Sequence, residues 1–505
     1  MARRFNKKTA TVSKTPDTIN LAGGKAFSQT EKVELASILL TSFLKNQFYR
    51  SADQTIERLQ QLLKSVDPLF AAKAAVYARK VFGMRSVSHL VASEIGANSH
   101  GTDWGKYFFK EVVQRPDDVT EILSAYMTFH GKTLPNAMKK GLGSALSKFN
   151  EYQLGKYRGD QNDISLVDAV NMVHPPHTKQ LRDLVRGELK TPETWEVKLS
   201  QAGQGVKTCE ALAKRKAKVW SDLLSEGELG YFALLRNLRN IYEQSPDSLN
   251  MALAQLVDEK QIKNSQVMPF RFATAIDKLR SENCPKVVLS ALNKALEISL
   301  GNIPHVDGSS LIVVDHSGSM QGEPIKNAAL FAAALYKIWD NVDLMFFSDE
   351  AQYAHPNPDD TFTTIRDQII NGCEAGGTNF NAPLLQANKK YDRIVFLSDM
   401  QGWGGHGAPV EAFKEYKAKY KADPFIYSFD LAGYGTGMFA KHKLLCMTGL
   451  SDRVFDLMRV LEQDKDALIK TIEQVSFDGT VNRFVDGLLV NRNTKVAETE
   501  EDEDD

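Results

Sequence analysis

Asp315, Ser317 and Ser319 form a D-x-S-x-S pattern at the end of an apolar run, within SSLIVVDHSGSMQGEP. At that spacing one turn aims a carboxylate and two hydroxyls at a single point, and Gly318 gives the backbone a tight path. All three are hard oxygen ligands, which suit Mg²⁺ or Mn²⁺; a zinc site would draw on His and Cys. The same residues also describe a polar turn that opens the following helix. Two later segments bear on that choice. EAGGTNF places Thr378 in a Gly-flanked loop, and IVFLSD is a second apolar run that ends in a carboxylate, Asp399. Both runs read as strands buried on both faces of a parallel sheet. Loops leaving the carboxyl ends of such strands meet in one crevice. Asp315, Ser317, Ser319, Thr378 and Asp399 are therefore predicted to share one cation.

The complete set resembles the metal-ion-dependent adhesion site of von Willebrand factor A domains. From Ser309 onward, apolar runs alternate with helical segments, from SSLIVVD to PFIYSFDLAG, which predicts a doubly wound α/β sheet. Upstream the pattern is different. Segments such as EKVELASILLTSFLKNQFY, DQTIERLQQLLKSV and LFAAKAAVYARKVFG carry helical periodicity between short polar turns, and residues 28–300 read as successive helical hairpins of a HEAT-like stack.

The chain has 505 residues and a formal net charge of -1. That balance hides an asymmetry: residues 1–300 carry about +12 and residues 301–505 about -13. A positive N-terminal part attracts phosphate backbones, whereas an acidic part built round a divalent cation does not. The tail AETEEDEDD reads as disordered and solvating. Cys209, Cys284, Cys373 and Cys446 are scattered, with no C-x-x-C pair, as in a reducing cytosol. The basic start MARRFNKKTATVSKTPDT has no apolar core for a signal peptide, and no apolar run is long enough to span a membrane. A cytoplasmic protein with no membrane partner is expected.

Basic residues gather between positions 139 and 190. Lys139, Lys140, Lys148, Lys156 and Arg158 lie among Phe149, Tyr152 and Tyr157, followed by Lys179 and Arg182. This mixture serves phosphate contacts and base stacking, and equally a solvated helix face over a core. Ser165 and Asp168 read as a capping pair for a helix that ends before Pro175, with His174 at its C-terminus.

The order of parts resembles the Ro autoantigen family, whose helical ring is the TROVE module. AGGKAFS, KYRGD through SLVDAVNMVHPP, YFALLRNLRNI, VMPFRFATAI, VVDHSGSM, AGGT and FLSD carry the likeness between residues 20 and 488. The resemblance implies a TROVE HEAT-repeat ring over 20–300 and a metal-binding A domain over 305–488, flanked by a flexible basic arm over 1–19 and an acidic tail over 489–505 that are this chain's own. It further implies a non-enzymatic ribonucleoprotein scaffold for RNA quality control. Small noncoding Y-type RNA would bind on a basic outer surface, and single-stranded 3′ ends of misfolded RNA would enter a central opening. Polynucleotide phosphorylase, tethered through RNA, is a candidate partner. Carried over by residue, the family's RNA contacts fall on Lys156, Tyr157, Arg158 and His174.

A rival reading is a protein-assembly module whose cation captures a partner's acidic side chain, the helices serving as scaffold. A metal-dependent nuclease fits less well, because two carboxylates are few for two-metal phosphoryl transfer. GWGGHG, after Asp399, lacks the G-K-[ST] ending of a phosphate loop and reads as a mobile rim.

Overall fold

The computed structural model describes residues 15–28, 30–41, 51–98, 101–159, 162–191, 194–265, 267–282, 284–303, 305–372, 376–402, 408–431, 434, 436–439, 444–448, 467–478, 482, 484–485 and 488–489. The chain folds as two compact units. One comprises Met1–Thr30, Lys45–Thr55 and Leu189–Phe455; the other comprises Glu31–Leu44, Ile56–Glu188 and Asp456–Asp505.

The second of these is built on helices that run from Glu31–Thr41 to Lys179–Arg186. Their ends follow the sequence signals. Asp67 caps Pro68–Val81 by accepting from Leu69 N and Phe70 N, with Pro at the first helical position. Ser165 and Asp168 form the expected capping box of Leu166–Val173. Gly187, at φ 73°, closes Lys179–Arg186 in the left-handed conformation that glycine adopts without strain. Buried Asp118 ties three helices together, accepting from the Arg79 guanidinium at 2.8 Å and lying 3.0 Å from His89 Nε2. The C-terminal helix Ala467–Gln474, within the expected A-domain span, belongs to this unit and packs on Pro68–Val81, where Lys73 Nζ donates to Glu473 O.

The other unit begins its helical part at Trp195–Gly203 and ends it at Lys286–Ser299. A six-stranded sheet follows. Its strands are β3 (Ser310–Asp315), β4 (Val342–Phe347), β5 (Ala351–Ala354), β6 (Arg393–Ser398), β7 (Phe425–Asp430) and β9 (Leu444–Thr448), after β1 (Thr18–Ile19) and β2 (Lys25–Ser28) at the start of the chain and with β8 (Thr436–Gly437) before β9. The order is β5-β4-β3-β6-β7-β9, parallel except for edge strand β5. Every residue of β3 and β6 is buried, which is why both read as unbroken apolar runs. The Ala-rich helix Glu323–Ile338 packs on β3, β4 and β6. An all-α region followed by a doubly wound α/β sheet is what the sequence predicts.

One strand pair falls where no strand is expected. β1 and β2 form an antiparallel hairpin, and β2 adds to β8 through Phe27↔Gly437 and Ser28↔Thr436. Residues 15–19 of the expected flexible arm thus end in an ordered hairpin, because Asn20 and Gly23, at φ 87°, make a turn and Ala26 enters the core under β3 and β6. Residues 1–14, the rim from 403 to 407 and the acidic tail beyond 489 lie outside the described residues. Cys209 and Cys284 are free thiols; the side chains of Cys373 and Cys446 are outside the described set.

Candidate metal centre and candidate nucleic-acid interface

The chain passes from β3 to β4 on one side and to β6 on the other, so the strand order reverses between β3 and β6. A crevice opens at the carboxyl ends of strands at such a point. Asp315 ends β3 and Asp399 follows β6, and the register Val314↔Leu397 brings both to one level. The Thr378 loop is drawn in by Ser317, which bridges to Gly376, and by Gly318 N donating to Gly376 O at 3.0 Å. Asp315, Ser317, Ser319, Thr378 and Asp399 are all buried at this end of the sheet.

Ser317 N donates to Asp315 Oδ1 at 2.8 Å, and the Ser398 hydroxyl donates to Asp315 Oδ2. The Ser317 and Ser319 hydroxyls are 3.4 Å apart. Gln401 N donates to Asp399 Oδ1 at 3.2 Å, whereas Asp399 Oδ2 is buried with no hydrogen bond. Burial raises the carboxyl pKa of Asp315, and the Asp399 charge raises it further; burial also raises that of Asp399. Among the described residues neither carboxylate has a Lys or Arg partner. Two buried carboxylates, an orphaned oxygen and three hydroxyls are a donor set that fits Mg²⁺ or Mn²⁺. Such a cation would supply the missing positive charge and a Lewis-acidic coordination position. Ser398 is the contributor that sequence reasoning missed, although its place one residue before Asp399 was a usable signal.

The basic residues sit on helices that pack on one another: Asn136–Leu146 on Leu166–Val173, and Lys179–Arg186 on both Glu151–Lys156 and Leu166–Val173. Gly143 lets the first pair approach, since a Cβ there would lie 3.1 Å from Pro175 Cα. Lys140, Lys156, His174, Lys179 and Arg182 are exposed, while Lys139 and Arg158 are half-buried. Arg182 lies 3.5 Å from Asp183. His174, Pro175, His177, Arg182 and Arg186 line a cavity of about 410 Å³.

One expected contact needs correction, and the choice between core and stacking is decided for the aromatics beside it. The Lys148 stem is exposed, but its ammonium turns inward to the carbonyls of Lys110 and Val113 at the end of Gly105–Val112, and burial lowers its pKa to about 8. Its charge serves a helix C-terminus. Phe149 is 6% exposed and is core, not a stacking platform. Tyr157 is covered by the Arg115 guanidinium, 4.3 Å from its ring centroid, which leaves Tyr152 as the exposed aromatic of the three.

Residues 182–295 match the TROVE domain and residues 305–459 match the Ro60 vWA domain. The chain belongs to the Ro family. The Ro protein (RSR) of Deinococcus radiodurans has the same fold, with a TM-score of 0.58 at 18% identity over 84% of this chain and 97% of that one. Telomerase protein component 1 of mouse is 22% identical over 351 residues, and that of rat 22% over 345. Each alignment takes in 50% of this Ro-family chain but 13% of the relative, so the chain spans a small part of their length. The Ro family groups RNA-binding ribonucleoproteins, and no helix among the described residues is long and apolar enough to cross a membrane.

His174 offers a test that separates folding from RNA contact in a Ro fold. It closes its helix at φ 47°, a left-handed conformation costly for a residue with a Cβ. His174→Gly is expected to stabilise the protein by up to about 1 kcal/mol in a denaturant titration and yet to weaken RNA binding. A variant that is both less stable and unimpaired in binding would contradict both roles.

Proposed function

We propose that this protein is an RNA-binding scaffold that holds small noncoding Y-type RNA on the face of Lys139, Lys140, Lys156, Arg158, His174, Lys179 and Arg182, and takes single-stranded 3′ ends of structured or misfolded RNA, in RNA quality control. The observation that carries it is the clustering of basic side chains, most of them exposed, on and beside four helices of a Ro-family chain that pack in series. The TROVE portion, read as 20–300, supplies the RNA surface. The A domain, read as 305–488, holds Mg²⁺ or Mn²⁺ through Asp315, Ser317, Ser319, Thr378 and Asp399. Its cation would offer an open position to an acidic group of a protein partner. Polynucleotide phosphorylase, reached through the bound RNA, and a cytoplasmic site of action complete the proposal. We assign no catalytic residue.

The test is a competition at fixed salt between an RNA with a free single-stranded 3′ tail and the same RNA with the tail paired. Tighter binding of the tailed RNA, recovered intact after incubation with Mn²⁺, is the expected result. Indifference to the tail would remove the 3′-end reading. Absence of salt-sensitive RNA binding, with capture of an acidic protein partner that is lost to chelator, would favour the protein-assembly reading, since phosphate contacts respond to salt.

A further inference from the structure

The loop that carries Asp399 does not hold itself. Met400 sits at φ 58°, a left-handed conformation that residues with a Cβ adopt only under constraint from their surroundings. Gly402 is pressed against the core beneath, where a Cβ would lie 2.6 Å from Met438 Cε and 2.9 Å from the Phe380 ring. The constraint on the other side comes from the start of the chain. Leu21 N and Ala22 N donate to Gln401 Oε1 at 2.8 and 3.3 Å, and Asn20 Nδ2 donates to Gly402 O at 2.6 Å. Asn20 and Gln401 are 5% and 0% exposed, so these bonds are made out of water. The Asn20 amide is used at both ends, since its Oδ1 accepts from Gly24 N at 2.8 Å and so locks the β1–β2 turn. Gln401 is likewise double-ended: Nε2 donates to Asp399 O and the backbone N donates to Asp399 Oδ1, both at 3.2 Å.

We propose that Asn20 and Gln401 are positioning residues, through which the N-terminal hairpin clamps the Asp399 loop and fixes the carboxylate orientation that a divalent cation requires. This rests on reading Asp315 to Asp399 as a cation site. Asp315 belongs to a central strand and is set by the sheet, but Asp399 lies one residue beyond β6, and its carboxylate is oriented by Gln401 N at Oδ1 together with the Ser319 hydroxyl. Gln401 is set in turn by Leu21 and Ala22. Removing the hairpin contact frees the loop to relax from the Met400 strain, and the orphaned Oδ2 no longer faces the same point. Outer contacts of this kind typically govern metal affinity by about 10–100-fold.

The experiment uses the full chain and Mn²⁺ as its own probe. Asn20→Asp keeps the oxygen that serves Gly24 and removes the donor to Gly402; Gln401→Met removes both ends at similar size. Both variants are expected to bind Mn²⁺ about 10–100-fold more weakly. The residual bound Mn²⁺ should give an altered electron paramagnetic resonance spectrum. In EDTA, amide hydrogen exchange across residues 399–402 should be faster than in the wild type, while thermal unfolding remains cooperative. Asp399→Ala marks complete loss. Wild-type affinity and spectrum in both clamp variants, with binding lost in Asp399→Ala, overturns the clamp and leaves the cation site standing. A wild type that binds no Mn²⁺ overturns the cation reading and the clamp's role with it. Unchanged exchange at 399–402 in Asn20→Asp overturns the clamp without reference to any metal.

Discussion

Asp315→Ala is expected to reduce Mg²⁺ and Mn²⁺ affinity by more than about 100-fold, because a direct carboxylate ligand contributes more than the outer partners worth about 10–100-fold. RNA affinity should stay near the wild-type value, since the basic face is built on helices of the other compact unit. Folding should survive. In the absence of a cation the wild type buries two like charges with no basic partner among the described residues, and removing one of them relieves repulsion. A calorimetric titration with Mn²⁺, paired with circular dichroism on the same sample, reads both expectations. Unchanged Mn²⁺ affinity in the folded variant would refute the site.

The same pair fixes a pH dependence and its sign. Burial raises both folded carboxyl pKa values above their unfolded values, and the Asp399 charge raises that of Asp315 further. The folded chain therefore binds more protons than the unfolded chain between about pH 4 and neutrality, and stability from this pair falls as pH rises through that window. Other carboxylates contribute their own slopes, so the informative quantity is the wild type minus Asp315→Ala. In EDTA that difference should tilt against the wild type as pH climbs, and saturating Mg²⁺ should cancel the tilt. A tilt in the opposite direction would mean that the carboxylates are compensated by protein groups.

The ligand set was readable because chemistry here is tied to strand ends. A buried parallel strand is a continuous apolar run, so the residue that breaks the run marks the crevice, and Asp315 and Asp399 break two of them. The hairpin was harder to read. TINLAGGKAFS has a Gly-Gly turn but very short strands, and its burial comes from Ala26 meeting a core about 300 residues away. Gln401 carries no mark in the sequence, since an amide becomes a positioning group only through the backbone N–H groups that reach it. Surface charge was the least legible. Lys148 and Lys156 look alike along the chain, yet one ammonium turns into carbonyls of its own fold and the other remains exposed.

That distinction sets the second large effect. Replacing Lys139, Lys140, Lys156 and Arg158 together with Gln is expected to weaken binding of a structured RNA and to flatten its salt dependence. Each phosphate contact releases about 0.7–0.9 of a counterion, so losing all four should reduce the slope of log K against log salt by roughly 3 units. The loss is then largest at low salt, and the two curves converge as salt rises. Lys148→Gln is the internal control: its ammonium is held by the carbonyls of Lys110 and Val113, so the slope should not change. Fluorescence anisotropy with one labelled RNA at four salt concentrations distinguishes the variants. His174→Ala should lower affinity less and leave the slope almost unaltered, because a histidine is mostly neutral at pH 7 and contributes by stacking or by donating a hydrogen bond. Equal slopes for the wild type and the fourfold variant would move the RNA surface away from these four helices. A reduced slope in Lys148→Gln would mean that its ammonium leaves the carbonyls to meet phosphate, so that RNA competes directly with the end of the helix Gly105–Val112.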